Sequence, residues 1–333
     1  MRDETITLSY GGGGYLTQSL INDLILKYFR SSILAKLDDS ADLGLESRDI
    51  SFTTDGYVVK PLFFEGGDIG KIAIAGTVND LLVNGARPRY ISCSFIIEEG
   101  LSFELLEKVL KSMARTAKKG GVEIVAGDTK VVEKGSADGI FITTAGVGEK
   151  VAQVGKQHIK EGDKIIINGP IAEHGVAVML AKSGDSGIKS DCAPLTDLIL
   201  SLLQKFPDDI HFMRDATRGG LGQVLLEVSE MSRHNITINE TAIPVSRGAR
   251  TYCDLLGIDP IYVANEGKVV MFVTGDKADE ILAEMKQLTL GRKAHIIGEV
   301  NGKTGKARVT LETEIGGHVP LRPISGEQLP RIC

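Results

Sequence analysis

Long apolar runs, basic blocks and paired cysteines are all missing from this 333-residue sequence. Without an apolar run long enough to cross a bilayer, no membrane-spanning helix is expected. Asp and Glu (44) outnumber Lys and Arg (38), giving a formal net charge of −6, and no Lys/Arg-rich block is interleaved with aromatics. That balance argues against a grip on a nucleic-acid backbone. The N-terminal MRDETITLSYGGGG puts charge and glycine where a secretory leader needs a sustained apolar core, so export is not expected. The four cysteines, at 93, 192, 253 and 333, form no CxxC pair and match neither zinc-ligand nor small disulfide spacings. A reducing cytoplasm is the expected setting. Two nucleotide signatures are absent as well. Gly70-Lys71-Ile72 lacks the upstream glycine and the following hydroxyl of a phosphate loop, and Gly302-Lys303-Thr304 has Ile297 where that loop begins. Gly146-Val147-Gly148 lacks the third glycine of the dinucleotide fingerprint, which would stand at 151. The six histidines show no HxxxH or HxH spacing, so no histidine metal site is expected.

What is present is a globular composition, 42% hydrophobic and 25% charged, at a length that suits two compact units sharing a cleft. Helical periodicity predicts amphipathic helices over 17–36 and 103–119, and a helix over 70–84 stopped by Gly85 and Pro88. The glycine arm 11–14 reads as mobile. Short strands are predicted over 50–54, 122–126 and 140–147, the first two delivering Asp55 and Asp128 into loops. Beyond a polar link near 150, helical and extended patterns alternate over 164–168, 172–182, 195–206, 219–232, 268–274, 277–288 and 294–300. The Gly- and Pro-containing stretch after 313 reads as a semi-flexible tail ending at Cys333. The expected division is therefore an arm and first helix (1–36), an α/β unit (37–150), a second α/β unit (151–312) and a tail (313–333).

The chemistry falls on aspartates: Asp39 in LDDSA, Asp55 in TTDG, Asp80 in VNDL, Asp128 in GDTK and Asp215 in RDATRGG. An isolated aspartate most often caps a helix or makes a turn. Several converging from loops beside small residues suit Mg²⁺, which takes few carboxylates and completes its shell with water and phosphate oxygens. Asp38 competes with Asp39 for the first of these places.

These motifs carry a family resemblance over nearly the whole chain. Asp39-Ser40-Ala41, Thr54-Asp55, Asn79-Asp80 with Gly85-Ala86, Gly127-Asp128-Thr129, and Asp215 with Gly219-Gly220 resemble the superfamily of aminoimidazole ribonucleotide synthetase, selenophosphate synthetase and thiamine-phosphate kinase, which binds Mg–ATP without a phosphate loop. Within it, FFEGGDIGKIAIAGTVNDLLVNGARP, AGDTKVVEKG, MRDATRGGL, VANEGKVV and the ending LPRIC resemble the HypE family of hydrogenase expression/formation proteins. The resemblance implies a two-domain PurM-like α/β (α+β) fold whose N-terminal sheets pair in a homodimer. It implies ATP and Mg²⁺ held by Asp39, Thr54, Asp55, Asn79, Asp80, Gly127, Asp128, Thr129 and Asp215, with the five aspartates as metal ligands. It implies ATP-dependent dehydration of an S-carboxamide on Cys333 to a thiocyanate, with Lys130 as a proton acceptor or phosphate clamp and Glu266 as a proton acceptor or the residue that holds Lys130 in place. The implied partners are the carbamoyltransferase HypF and a HypC–HypD complex that receives cyanide on iron. Two alternatives stay open: a kinase or synthetase acting on a free small molecule, and a non-catalytic carrier that responds to ATP.

Overall fold

The computed structural model describes residues 4–12, 14–38, 40–303 and 306–323. Asp39 and Cys333 lie outside the described residues. The first half is built on a four-stranded sheet in the order Ile50–Tyr57, Ile140–Lys150, Ala86–Glu98, Glu123–Val132, antiparallel except for the last pair. One face of this sheet is covered by helices Ile69–Val83 and Phe103–Gly120. Asp68 caps the first helix, accepting the Lys71 N–H at 3.0 Å, and Ser102 caps the second, accepting the Leu105 N–H at 3.2 Å. Gly121, at φ 71°, ends the second helix in the left-handed conformation.

Helix Ile69–Val83 is apolar on nearly every side, the mark of a helix buried all round. Ile69, Ile72, Ile74, Val78, Leu81 and Leu82 are almost fully buried. The helix packs on strands Ile50–Tyr57 and Ile140–Lys150, on helix Phe103–Gly120, and on strand Ile210–Asp215 of the second half. Truncating one of these side chains, Ile72→Ala for instance, should cost about 2–5 kcal/mol. The second half holds a seven-stranded sheet in the order His318–Pro320, Val309–Glu312, His234–Asn239, His295–Lys303, Lys164–Ile167, Val269–Val273, Ile210–Asp215. Among the described residues no helix is long and apolar enough to cross a membrane.

Several expectations need correction. The helix predicted over 17–36 runs through Tyr15–Leu20, a π-helical stretch Ile21–Ile25 and Leu26–Tyr28, and stops at Phe29 (ψ 76°). The glycine arm is packed where it begins: Leu8–Gly11 is a 3-10 turn, Tyr10 is buried edge-on to Phe103, and a Cβ on Gly11 would lie 2.7 Å from the Val131 nitrogen. Asp55 and Asp128 are not in loops; both sit inside strands, because neighbouring strands pair with the small polar residues that flank them. Strands Ile210–Asp215 and His234–Asn239 and helix Arg247–Leu256 were not anticipated. The stretch after 313 stays in the sheet for longer than expected. Gly317 closes a turn on Thr313, and His318–Pro320 pairs antiparallel with Val309–Glu312.

Candidate active site

Strand Ile50–Tyr57, helix Ile69–Val83 and the end of strand Ile210–Asp215 meet around a cavity of about 220 Å³ lined by Asp55, Tyr57, Gly76, Asp80, Asp215, Thr217, Arg218 and Glu266. Alternation along the strand turns Ser51, Thr53, Asp55 and Tyr57 toward helix Ile69–Val83. The Thr53 hydroxyl donates to Asp80 Oδ2 at 2.8 Å, and the Tyr57 hydroxyl donates to Asp55 Oδ2 at 3.2 Å. Gly76 makes room for that phenol, since a Cβ there would lie 2.3 Å from the Tyr57 oxygen. Glu266 enters from the loop before strand Val269–Val273; it is 3% exposed, and its Oε2 has no hydrogen-bond partner among the described residues.

Four carboxylates around one small cavity cannot all stay ionised at low cost. Burial first, then the charges of Asp215 and Asp55, push Asp80 up to about 7. Burial raises Asp215 to about 6 against the pull of Arg214. Glu266 is driven well above the usual carboxylate range by burial and by Asp215, Asp191, Asp55 and Asp80. Arg218 is the cation among the lining residues. The cavity is built to receive positive charge.

The sequence-predicted set is therefore split. Asp55, Asp80, Asp215 and Glu266 come together. Gly127, Asp128 and Thr129 do not: strand pairing aligns Asp128 with Ser94, Thr143 and Gly56 across the sheet, three strand spacings or about 14 Å from the Asp55 strand. Asp128 also lies on the opposite face, exposed and joined to the exposed Lys130 at 2.9 Å. That lysine's hydrogen bond holds the Asp128 carboxyl below its usual range. Thr54 faces the same open side and donates its hydroxyl to the Thr144 carbonyl. Asn79 is buried but spent as a brace, giving its Nδ2 to the Ala193 carbonyl (3.1 Å) and accepting the Leu195 N–H (2.8 Å). Among the described residues no group of three or more His, Cys, Asp or Glu side chains is arranged to hold a metal ion unaided. Tyr57, Thr217 and Arg218 were missed; the last two stood in view in RDATRGG, where the aspartate and the glycines drew attention instead.

The model of the AIR synthase related protein N-terminal domain matches residues 37–150, and that of the C-terminal domain matches 160–310. The chain is 43% identical over 338 residues to the carbamoyl dehydratase HypE of Bradyrhizobium diazoefficiens, covering 100% of this chain and 97% of that protein. The chain belongs to the HypE family. Among solved structures, this HypE-family chain is similar to a hydrogenase maturation protein HypE in complex with ATP, at 42% identity and TM-score 0.95, covering 99% of this chain and 100% of that one. It is also similar to HypE from a HypE–HypF complex, at 44% identity and TM-score 0.80, covering 92% and 100% of the two chains. The fold is PurM-like, as the family implies.

Proposed function

We propose that this chain is an ATP-dependent carbamoyl dehydratase that converts an S-carboxamide on its own Cys333 into a thiocyanate, the source of a cyanide ligand for hydrogenase iron. The observation that carries this reading is the convergence of Asp55, Asp80, Asp215 and Glu266 with Arg218 between the two halves, in a chain that matches carbamoyl dehydratases over its full length. Loss of water from S–C(=O)NH₂ requires a better leaving group than hydroxide. Phosphorylation of the amide oxygen by ATP supplies it: the oxygen leaves as phosphate, the two N–H protons are released, and the carbon–nitrogen triple bond forms with ADP as the other product. Phosphoryl transfer depends on positioning and on offsetting charge. Arg218 serves that end beside the carboxylates.

The residues fit a magnesium ion. Asp80 and Asp215 are each raised by burial and by neighbouring carboxylate charge, a state that a bound cation relieves. Among the described residues no closed protein cage is formed, which suits Mg²⁺, an ion that completes its shell with water and phosphate oxygens. Asp55, Asp80 and Asp215 would hold it, and when bound it would offset charge on the transferring phosphate. Glu266, buried and with its Oε2 unpartnered among the described residues, accepts the proton from the carboxamide nitrogen in its ionised form, which a cation held by Asp55, Asp80 and Asp215 would favour. In the single chain Lys130 is exposed, paired with Asp128 and on the opposite sheet face from the cavity, so it would serve as a phosphate clamp only across a seam with a second copy.

The sheet face that carries Thr54, Asp128 and Lys130 also exposes Ile50 (52%), Phe52 (67%) and Ile96 (39%). A second copy pairs on this face, burying those side chains and making Thr54, Asp128 and Lys130 part of the seam between subunits. HypF supplies the carbamoyl group, a HypC–HypD complex accepts the cyanide, and the setting is the cytoplasm. The direct test is the mass of the C-terminal peptide after carbamoylation by HypF. It should fall by one water only when Mg–ATP is added; a peptide that keeps its carbamoyl group, or a Cys333 that is never modified, overturns the reading.

A further inference from the structure

A strap of the second half, residues 187–196, crosses onto the first half. Its Gly187 N–H reaches Glu65 Oε2 (2.9 Å), its Ser190 N–H the Glu65 carbonyl (2.8 Å), its Leu195 N–H Asn79 Oδ1 (2.8 Å), and its Thr196 hydroxyl the Gly120 carbonyl (2.9 Å). In the middle of this strap stands Asp191, 2% exposed at its side chain. One of its oxygens, Oδ1, accepts the backbone N–H of Glu266 at 3.1 Å. The other, Oδ2, lies 2.9 Å from the ammonium of Lys268, itself 8% exposed, as a close ion pair. The Glu266 carbonyl is tied from the same side, accepting the Ala193 N–H and the Asn79 amide, each at 3.4 Å. Between Glu266 and Lys268 the chain presses so closely on the strap that a Cβ at Gly267 would lie 2.0 Å from the Asp191 carbonyl oxygen.

We infer that Asp191, with Lys268 as its counter-ion, is the positioning residue that latches Glu266 over the carboxylate cavity and couples its placement to the seating of the two halves. The inference rests on the role given to Glu266 above. A buried carboxylate and ammonium are costly to bring out of water, and a pair of this kind is weak evidence for stability as such. What this pair gains is geometry. Asp191 stays ionised although burial works against it, because Lys268 and His174 outweigh that penalty. An ionised carboxylate is a stronger acceptor for a backbone N–H than a neutral group. The strap is bonded to Glu65, Asn79 and Gly120 of the first half, so a shift between the halves moves Asp191 and with it the Glu266 loop. Among the described residues Glu266 has no side-chain bond through Oε2 that could hold it in place. Its backbone carries the constraint.

Two neutral variants separate geometry from charge without stranding a buried ion. Asp191→Asn/Lys268→Met keeps an acceptor for the Glu266 N–H; Asp191→Ala/Lys268→Met removes it. The alanine variant should dehydrate the carbamoylated tail roughly 10–100-fold more slowly, the range for partners that orient a catalytic group, with ATP affinity unchanged. The asparagine variant should stay close to wild type. In a Glu266→Gln background the alanine variant should cost nothing more, since the two changes act through one group. Amide exchange at Glu266 supplies a reading that needs no turnover: it should speed up in the alanine variant and stay slow in the asparagine one. An alanine variant that dehydrates at the wild-type rate, or that loses as much in the Glu266→Gln background, overturns the latch. If the wild-type chain itself does not dehydrate its tail, the proposed function falls, and unchanged or accelerated exchange at Glu266 still decides whether Asp191 holds it.

Discussion

Two sets of aspartates in this molecule share a side chain and differ in almost everything else. Asp55, Asp80 and Asp215 crowd a small cavity with Glu266, where burial and mutual repulsion raise Asp80 and Asp215 to about 7 and 6. Asp128, about 14 Å away across the sheet, lies in solvent against Lys130, whose hydrogen bond lowers it. The first set is poised to bind a cation and unstable without one. The second, in the single chain, is already paired with a cation of its own. Residue type therefore says little about an aspartate's setting; the count of carboxylates in reach and the depth of burial say more.

The contrast can be broken most sharply at the open sheet face. Phe52→Glu puts a charge where a second copy should sit, and sedimentation should then find only single chains; an unchanged assembled mass would remove the subunit seam from the account. Next in size, Lys130→Met should weaken ATP binding roughly tenfold, the worth of one charge-assisted hydrogen bond, with the rate at saturating ATP less affected. A loss confined to that rate would make the lysine a proton acceptor after all.

Asp80→Asn tests the cavity's latent instability. In the fold Asp80 titrates near 7, against about 3.9 in an unfolded chain. The stability it contributes is fully present below the unfolded value and lost as pH rises through about 7. Metal-free protein should therefore become less stable from pH 4 to pH 8, and Asp80→Asn should raise Tm at pH 8 by roughly 2–4 °C, with the gap closing toward pH 4. A gap of constant size would show that Asp80 is not strained by its neighbours. The smallest effect belongs to Asp128→Asn in the single-chain Phe52→Glu background, where it should change unfolding stability by no more than about 0.5 kcal/mol at either pH, as expected for an exposed pair.

Why the sequence reveals one set more fully than the other follows from where the partners lie. The helices over 70–84 and 103–119 were legible because their apolar residues and their stops, Gly85 with Pro88 and Gly120-Gly121, are local, whereas the caps Asp68 and Ser102 came only with the fold. The strands that carry Asp55 and Asp128 were read too short: Thr53-Thr54-Asp55-Gly56 and Gly127-Asp128-Thr129 have turn-like composition, and only pairing with Thr143, Thr144 and Cys93 makes them strand. The motifs grouped Asp128 with Asp55 because a motif records that residues belong together, not which face each one occupies. Asn79 was expected at the nucleotide, but its amide is consumed by backbone groups of Ala193 and Leu195, a bond invisible without the fold. Asp191 and Lys268 formed no pattern at all, being an ion pair made by a strap crossing between the halves.

If water is lost from the tail at the buried carboxylate cavity, the reaction should fail when Glu266 cannot accept a proton. The most direct measurement is the mass of the Cys333 peptide in Glu266→Gln, carbamoylated by HypF and then given Mg–ATP beside the wild type. Both chains should take up the carbamoyl group, and the loss of one water should be slower by about 100-fold or more in the variant than in the wild type. A Glu266→Gln peptide that becomes thiocyanate at the wild-type rate would place the chemistry elsewhere in the molecule.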